Sequence, residues 1–351
     1  MKILHTADLH LGTPFAGRPP EQAEFLRQEL RKVPEKLARL CREQECDLML
    51  LAGDLFDAEP DMDSLTLLQS ALEEAGVPVF ISPGNHDPFA SHSVYAREKW
   101  PGNVYIFTRP KMEAVTVEEL DCRVYGAGYR SMDCRGLLEG FIASGEEKYH
   151  VAVLHGDPTN AASPCCPITR QQVQDSGLHY LALGHIHKGG SFTAGETLCA
   201  WPGCPMGRGF DDAAPNGALV VTLEEQVQSQ FIPLGTPGFY DLEVSPSALS
   251  KVLPAGESRD FYRVTLTGQA PKPDLEALAR QYHWLPHLQL RDHTTAETEL
   301  WQGVGADTLE GVYFRILRDA LEGADPQTQA TITLAAKISR QILDGQEVVL
   351  P

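Results

Sequence analysis

Five short polar clusters hold most of the residues able to do chemistry. They are Asp8-Leu9-His10, Gly53-Asp54-Leu55-Phe56-Asp57, Gly84-Asn85-His86-Asp87, His155-Gly156-Asp157 and Gly184-His185-Ile186-His187. Together they offer imidazole nitrogens, carboxylates and an amide carbonyl, with no thiolate. That mixture suits borderline-hard divalent ions such as Mn²⁺, Fe²⁺ or Zn²⁺. With a bridging carboxylate such donors hold two cations about 3.5–4 Å apart, a pair that activates water and clamps an in-line displacement at phosphorus. Singly the clusters are weak signals: Asp-x-His is common, GHxH can be a surface loop, and His155 can be a core histidine. Their joint occurrence carries the argument. Glycines precede Asp54, Asn85 and His185 and allow tight turns there. His5, His92, His150, His179, His283, His287 and His293 lie outside the clusters and read as ordinary core or surface residues.

Each cluster directly follows an apolar run. Strands are predicted at Ile3-Leu4-His5, at 47–52, 77–82, 104–107, 123–126, 151–154 and 180–183. A helix is predicted over 21–44, where Leu26, Leu30, Val33, Leu37 and Leu40 form an apolar stripe and Pro34 should kink or divide it. A second helix is predicted over 65–74. Alternating strands and helices indicate parallel pairing with helices packed on a sheet. Ligands bind such sheets beyond the C-terminal ends of the strands, so clusters remote in sequence can converge. Runs at 218–223 and 229–234 have antiparallel character.

The segment Gly235-Thr236-Pro237-Gly238 reads as a linker, giving domains at 1–235 and 236–351. The second has strands predicted at 239–244, 261–267 and 287–291, and helices at 273–281, 309–321 and 326–343, a small α+β unit. There are 351 residues, enough for two domains. Hydrophobic residues at 42% exclude wholesale disorder. No apolar run reaches the length of a membrane helix. Met1 runs straight into a strand, which leaves no room for a secretory signal, so a cytoplasmic location is expected. The eight cysteines include no CxxC pair and are expected to be reduced. The formal charge is −19, from 29 basic and 48 acidic residues, and both parts of the chain are acidic. That balance opposes non-specific nucleic-acid binding and favours cations or a partner that supplies basic surface.

The ordered motif set over the first 235 residues resembles the calcineurin-like metallophosphoesterase superfamily. The resemblance implies a sandwich of two mixed sheets flanked by helices, with the α+β unit appended. It implies that Asp8, His10 and His187 hold one metal, that Asn85, His155 and His185 hold a second, and that Asp54 bridges them. His86 would face the scissile phosphate as general acid or charge stabiliser, with Asp57 orienting and charging it; Asp87 is expected to be structural. Protein Ser/Thr phosphatases carry GDxxDRG and GNHE. Here the first motif continues Asp57-Ala58-Glu59 and the second ends in Asp87. The opening His5-Thr6-Ala7-Asp8-Leu9-His10-Leu11-Gly12 and Gly53–Asp57 instead resemble SbcD-type DNA repair nucleases. Closer still is the YhaO-like branch, through Thr13-Pro14-Phe15, Gly84–Pro88, Tyr180–Lys188, Trp201-Pro202-Gly203 with Gly207-Arg208, and the tail 343–348. Gly12 stands where that branch often has an acidic residue.

This likeness implies a Mn²⁺-dependent DNA exonuclease of a repair complex, with possible endonuclease action on single strands and a metal-activated water attacking phosphorus. Fe²⁺ or Zn²⁺ are the other metals to weigh. It implies DNA and an SMC-like coiled-coil ATPase (SbcC-type or YhaN-like) as partners, commonly a homodimer, and no membrane. The C-terminal domain would cap the substrate or dock the ATPase. Arg208 and Lys188 are candidate phosphate contacts, with plain surface residues as the alternative. Tyr129-Arg130 and Trp201 could stack on a base, although a core or rim role is the expectation. Two rival readings remain at this stage. One is a phosphodiesterase for small nucleotides, which the acidity favours; the other is a non-catalytic scaffold for the ATPase.

Overall fold

The computed structural model describes residues 1–57, 60–295 and 300–343. Ala58 and Glu59, and the YhaO-like tail beyond position 343, lie outside the described residues. The chain divides by its internal contacts into Met1–Phe239 and Tyr240–Pro351.

The first unit is an α/β sandwich of two mixed six-stranded sheets. One sheet has the order β12 (Val227–Pro233), β11 (Gly217–Leu223), β1 (Lys2–Thr6), β2 (Leu48–Leu51), β3 (Val79–Ile81), β4 (Val104–Ile106), and the other β5 (Glu113–Val117), β6 (Cys122–Gly126), β7 (Tyr149–His155), β8 (Tyr180–Gly184), β10 (Thr197–Gly203), β9 (Lys188–Ala194). In the first, β1, β2, β3 and β4 run parallel. The hairpin of β11 and β12 adds to β1 antiparallel, as its sequence suggested. In the second sheet, β6, β7, β8 and β10 run parallel. Strands β5 and β9 close its edges antiparallel.

Burial explains why these segments form strands. Ile3, Leu48, Leu50, Val151, Val153, Leu219 and Val221 meet in one core fed by both sheets. Side chains alternate across a strand, so Leu4, Met49 and Leu51 point to the opposite face. They are buried too, and apolar cover is needed on both sides. The buried stripes of α1 (Pro20–Arg31), α2 (Val33–Glu43) and α3 (Met62–Ala75) supply such surface. The segment predicted as one helix is two. Lys32 closes α1 and opens α2, and Pro34 falls in the first turn of α2, where its missing N–H costs nothing. Helix α3 has Asp61 as N-cap, accepting from the Ser64 N–H, and stops at Gly76 in the left-handed region.

Strands β9 and β10 were not anticipated. β9 carries Gly189-Gly190 and β10 carries Pro202, residue types that strands disfavour. Pairing of β10 with β8 and of β9 with β10 overrides that weak local signal.

The second unit holds a three-stranded sheet, β13 (Phe239–Val244), β14 (Phe261–Gln269) and β15 (Leu288–Thr295), with β14 and β15 parallel. Its helices include α6 (Leu249–Val252) and α7 (Leu275–Gln281), after the short α4 (Val94–Arg97) and α5 (Arg170–Asp175) of the first unit. Leu249, Tyr262, Val264, Leu266 and Leu285 form its core. Helices α8 (Leu309–Asp319) and α9 (Pro326–Leu343) share a smaller cluster of Leu300, Phe314 and Ala336.

Leu50 is fully buried between the sheets. Leu50→Ala is expected to lower the stability of the first unit by about 2–5 kcal/mol, read as an earlier denaturation midpoint with unchanged secondary structure before the transition.

Candidate metal centre

All five polar clusters lie at the C-terminal ends of parallel strands: after β1, β2 and β3 in one sheet, and after β7 and β8 in the other. Backbone bonds zip the first two together. Asp8 N–H donates to Gly53 O at 3.0 Å, His10 N–H to Asp54 O at 3.0 Å, and Leu11 N–H to Leu55 O at 2.9 Å. Asp87 joins the second cluster to the third. Its carboxylate accepts the N–H groups of Leu55 (2.7 Å), Phe56 (3.2 Å) and Gly84 (2.8 Å) and the Tyr95 hydroxyl (2.6 Å). The His185 N–H donates to both Asp8 oxygens at 3.0 Å, which ties the fifth cluster to the first.

These turns are demanding. Asp8, His10, Asp54 and His185 all have positive φ (53°, 47°, 50° and 94°), a region that non-glycine residues rarely occupy and that gathers at functional sites. Gly84 shows a different constraint. A Cβ there would collide with the Asp54 Oδ1 and backbone nitrogen, so only glycine lets the third turn close on that carboxylate.

The side chains then cluster. Donor atoms of Asp8, His10 and His187 lie within 4.8 Å of one another, as do those of Asp8, Asp54 and His155, and those of His10, Asp54 and His86. Asp8, His10 and Asp54 are each shared by two of these groups. His155 Nε2 is 3.3 Å from Asp54 Oδ2 and 2.9 Å from Asn85 Oδ1. His10 Nε2 is 3.3 Å from His187 Nε2 and 3.9 Å from Asp54 Oδ2. Asp8, His10, Asp54, Asn85 and His155 are buried, His185 and His187 are partly buried, and His86 is exposed at the mouth.

Hydrogen bonding indicates what the donor set needs. His155 Nδ1 faces the Ala52 carbonyl at 2.8 Å, so it carries the proton and Nε2 is left with its lone pair. That lone pair points at two oxygens that are themselves acceptors. The contact is attractive only with a positive charge among the three atoms, either a proton or a metal ion. His187 repeats the pattern. Its Nδ1 donates to Asp212 Oδ1 at 2.9 Å, which leaves Nε2 free toward His10, the arrangement of a carboxylate-held metal ligand. The residues therefore fit divalent cations.

The charges agree. Burial opposes ionisation of both Asp54 and His155, and their mutual attraction overcomes it. The carboxyl is held well below the usual range and the imidazole is pushed up to about 9. Burial likewise works against Asp212, but its bond to His187 brings it down to about 2. His5 is the contrast. It is fully buried, and its nitrogens meet the Tyr180 hydroxyl (2.7 Å) and the Leu183 carbonyl (3.0 Å). Burial lowers it to about 3, so it stays a neutral core histidine.

The other candidates are arranged differently. The His185 ring lies 5.2 Å from that of His155, centre to centre, and its Nε2 is 4.0 Å from Asp157. Asp57 Oδ1 is nearer to Arg208 (3.0 Å) and His10 Nδ1 (3.2 Å) than to His86 Nδ1 (3.7 Å). Arg208 is ion-paired with Asp57 and Asp212. Lys188 opens β9, exposed, beside a cavity of about 700 Å³ that His187, Trp201 and Phe231 also line. Trp201 is buried and donates to the Lys188 carbonyl, while Tyr129 is buried. A cavity of about 310 Å³ lies between His86, His92 and Arg130. Sequence reasoning missed Asp212. The only signal was an Asp-Asp pair in a glycine-rich stretch, and nothing local to the sequence ties it to His187.

Residues 1–189 match the family described as calcineurin-like phosphoesterase. The chain is 31% identical over 238 residues to an uncharacterized metallophosphoesterase, YhaO, of Bacillus subtilis, covering 63% of this chain and 57% of that relative's length. It is 30% identical over 271 residues to the D component of the SbcCD nuclease of Staphylococcus epidermidis, covering 67% of this chain and 70% of that one. A solved dimetal phosphatase of Danio rerio overlays 66% of this chain and 98% of its own, at 11% identity and a TM-score of 0.43.

Gly84→Ala puts a methyl group against the Asp54 carboxylate. The variant is expected to fold normally by circular dichroism and to bind Mn²⁺ about 10–100-fold more weakly in calorimetric titration, the loss typical of a disturbed ligand support.

Proposed function

Starting from the fact that the chain belongs to the calcineurin-like phosphoesterase family, we propose that it is a dinuclear metal-dependent phosphodiesterase whose substrate is DNA. The observation that carries this reading is the buried cluster of imidazole nitrogens and carboxylates around Asp54, with Nδ1 of His155 and of His187 each turned to an acceptor so that Nε2 faces the cluster. In the proposal, Asp8, His10 and His187 hold one ion. Asn85, His155 and His185 hold the other, and Asp54 is shared. The ions, most fittingly Mn²⁺, would neutralise charge at phosphorus and make water acidic enough to act as a nucleophile near neutral pH.

The chain's own groups do the rest. His86 stands exposed above His10, with ring centres 4.9 Å apart and planes nearly perpendicular. From there it donates a proton to the departing sugar oxygen. The carboxylate of Asp57 lies 3.7 Å from its Nδ1 and would orient the ring. The cavities lined by His187 and by His86 would take the chain that flanks a phosphodiester, which a phosphate monoester would not require. Lys188 is placed to meet a neighbouring phosphate. The likeness to the SbcCD nuclease component supports DNA as substrate and a coiled-coil ATPase as partner. Such a partner would supply the basic surface that a charge of −19 denies this chain. A homodimer, and a substrate-orienting or ATPase-docking role for residues 236–351, belong to the same reading.

The acidity favours one alternative, the same chemistry on small nucleotides. Linear DNA and a panel of cyclic nucleotides, dinucleotides and bis(p-nitrophenyl) phosphate separate the two. Mn²⁺-dependent shortening of end-labelled DNA is expected. Turnover confined to the small esters, even with an ATPase partner present, would exclude DNA.

Two substitutions test the roles. His86→Ala is expected to lower kcat by about 10²–10⁴-fold with both metals retained. Asp54→Ala is expected to abolish turnover and to release metal, measured by elemental analysis after gel filtration.

A further inference from the structure

We propose that Arg208 is a positioning residue for the metal centre: its guanidinium ties the carboxylates of Asp57 and Asp212 together and through them fixes the imidazoles of His10 and His187. This inference rests on the dinuclear reading above and names a part of the machinery that the sequence assigned to substrate.

The contacts form a closed ring. Arg208 Nη1 is 3.0 Å from Asp57 Oδ1, which lies 3.2 Å from His10 Nδ1. On the other side, Arg208 Nε is 3.4 Å and its backbone nitrogen 3.1 Å from Asp212 Oδ2. The second oxygen of Asp212 accepts from His187 Nδ1 at 2.9 Å. The ring closes where His10 Nε2 and His187 Nε2 face each other at 3.3 Å, the place where one cation would be held. Asp57 follows β2, whereas Arg208 and Asp212 lie between β10 and β11. Arg208 is therefore the cross-link between two loops, each holding one imidazole.

The details favour positioning over direct contact with phosphate. Arg208 Nη1 and Nε already face the carboxylates of Asp57 and Asp212. The Arg208 carbonyl is held in turn by Arg18 Nη2 at 3.3 Å. His10 Nδ1 is buried without a well-aligned hydrogen bond. The charged group nearest to it is Asp57 Oδ1 at 3.2 Å, and Arg208 holds that same oxygen. A rigid planar fork meets the two carboxylates from fixed directions, which a freely rotating ammonium does not.

The test uses the full-length protein with Arg208→Met, Arg208→Lys and Asp212→Asn. Mn²⁺ binding is followed by calorimetry and by the exchange-coupled dimanganese signal in electron paramagnetic resonance. KM and kcat are measured on bis(p-nitrophenyl) phosphate at saturating Mn²⁺. Wild type is expected to bind two ions. Arg208→Met and Arg208→Lys are expected to bind one normally and the other about 10–100-fold more weakly. The coupled signal should return at high Mn²⁺ with KM within about twofold of wild type. Asp212→Asn should show the same split and keeps the test available if Arg208→Met does not fold. Two ions bound at wild-type affinity in both Arg208 variants overturns the proposal, and a severalfold rise in KM with that result assigns Arg208 to substrate. Failure of the wild type to bind a second ion overturns the dinuclear reading instead, so the two failures are told apart.

Discussion

Two buried carboxylates, Asp8 and Asp54, set the terms for what surrounds them. An ionised carboxylate out of water is costly unless positive charge or several hydrogen bonds face it. Here both come from chain that is remote in sequence. Asp8 takes the His185 N–H on both oxygens. Asp54 takes the His86 N–H at 2.9 Å and has His155 beside it. Each solution brings in another loop, so anchoring the anions and assembling the site are one process. The same need explains the unusual backbone. Four of the loop residues are held at positive φ, a cost that only a tightly determined surrounding sustains.

Support for the donor atoms extends a layer outward. Asp87 spends both oxygens on backbone and on Tyr95, which fixes the turns bearing Asp54 and Asn85 relative to each other. Asp212 and the Ala52 carbonyl settle which nitrogen of His187 and of His155 carries hydrogen. Ligand geometry therefore depends on groups that need not touch an ion, in line with the general behaviour of metal sites.

Much of this could be read from the sequence, because strand ends leave local marks. An apolar run followed at once by Asp-x-His, Gly-Asp, Gly-Asn-His or Gly-His-x-His states both where a strand stops and what it delivers. The alternation of strands and helices then implies parallel pairing and a shared edge. Residues whose importance lies in a distant partner could not be read. Arg208 meets Asp57 across 151 positions, and Asp212 meets His187 across the β9–β10 hairpin, whose glycines and proline hid both strands. Asp57 shows the same limit. The resemblance paired it with His86, whereas the nearest charged groups in space are Arg208 and His10. Pro34 was correctly read as an interruption, because proline acts through its own ring and not through tertiary context.

The donors are divided between the two sheets: Asp8, His10, Asp54 and Asn85 follow strands of one, while His155, His185 and His187 come from the other. Any sliding of one sheet over the other would change the distances between the two sets of side chains. The packed apolar layer between them thus acts as a spacer gauge, and its low compressibility sets the tolerance of the centre. Drift in the interior, even where the protein stays folded, would register first as mistuned chemistry.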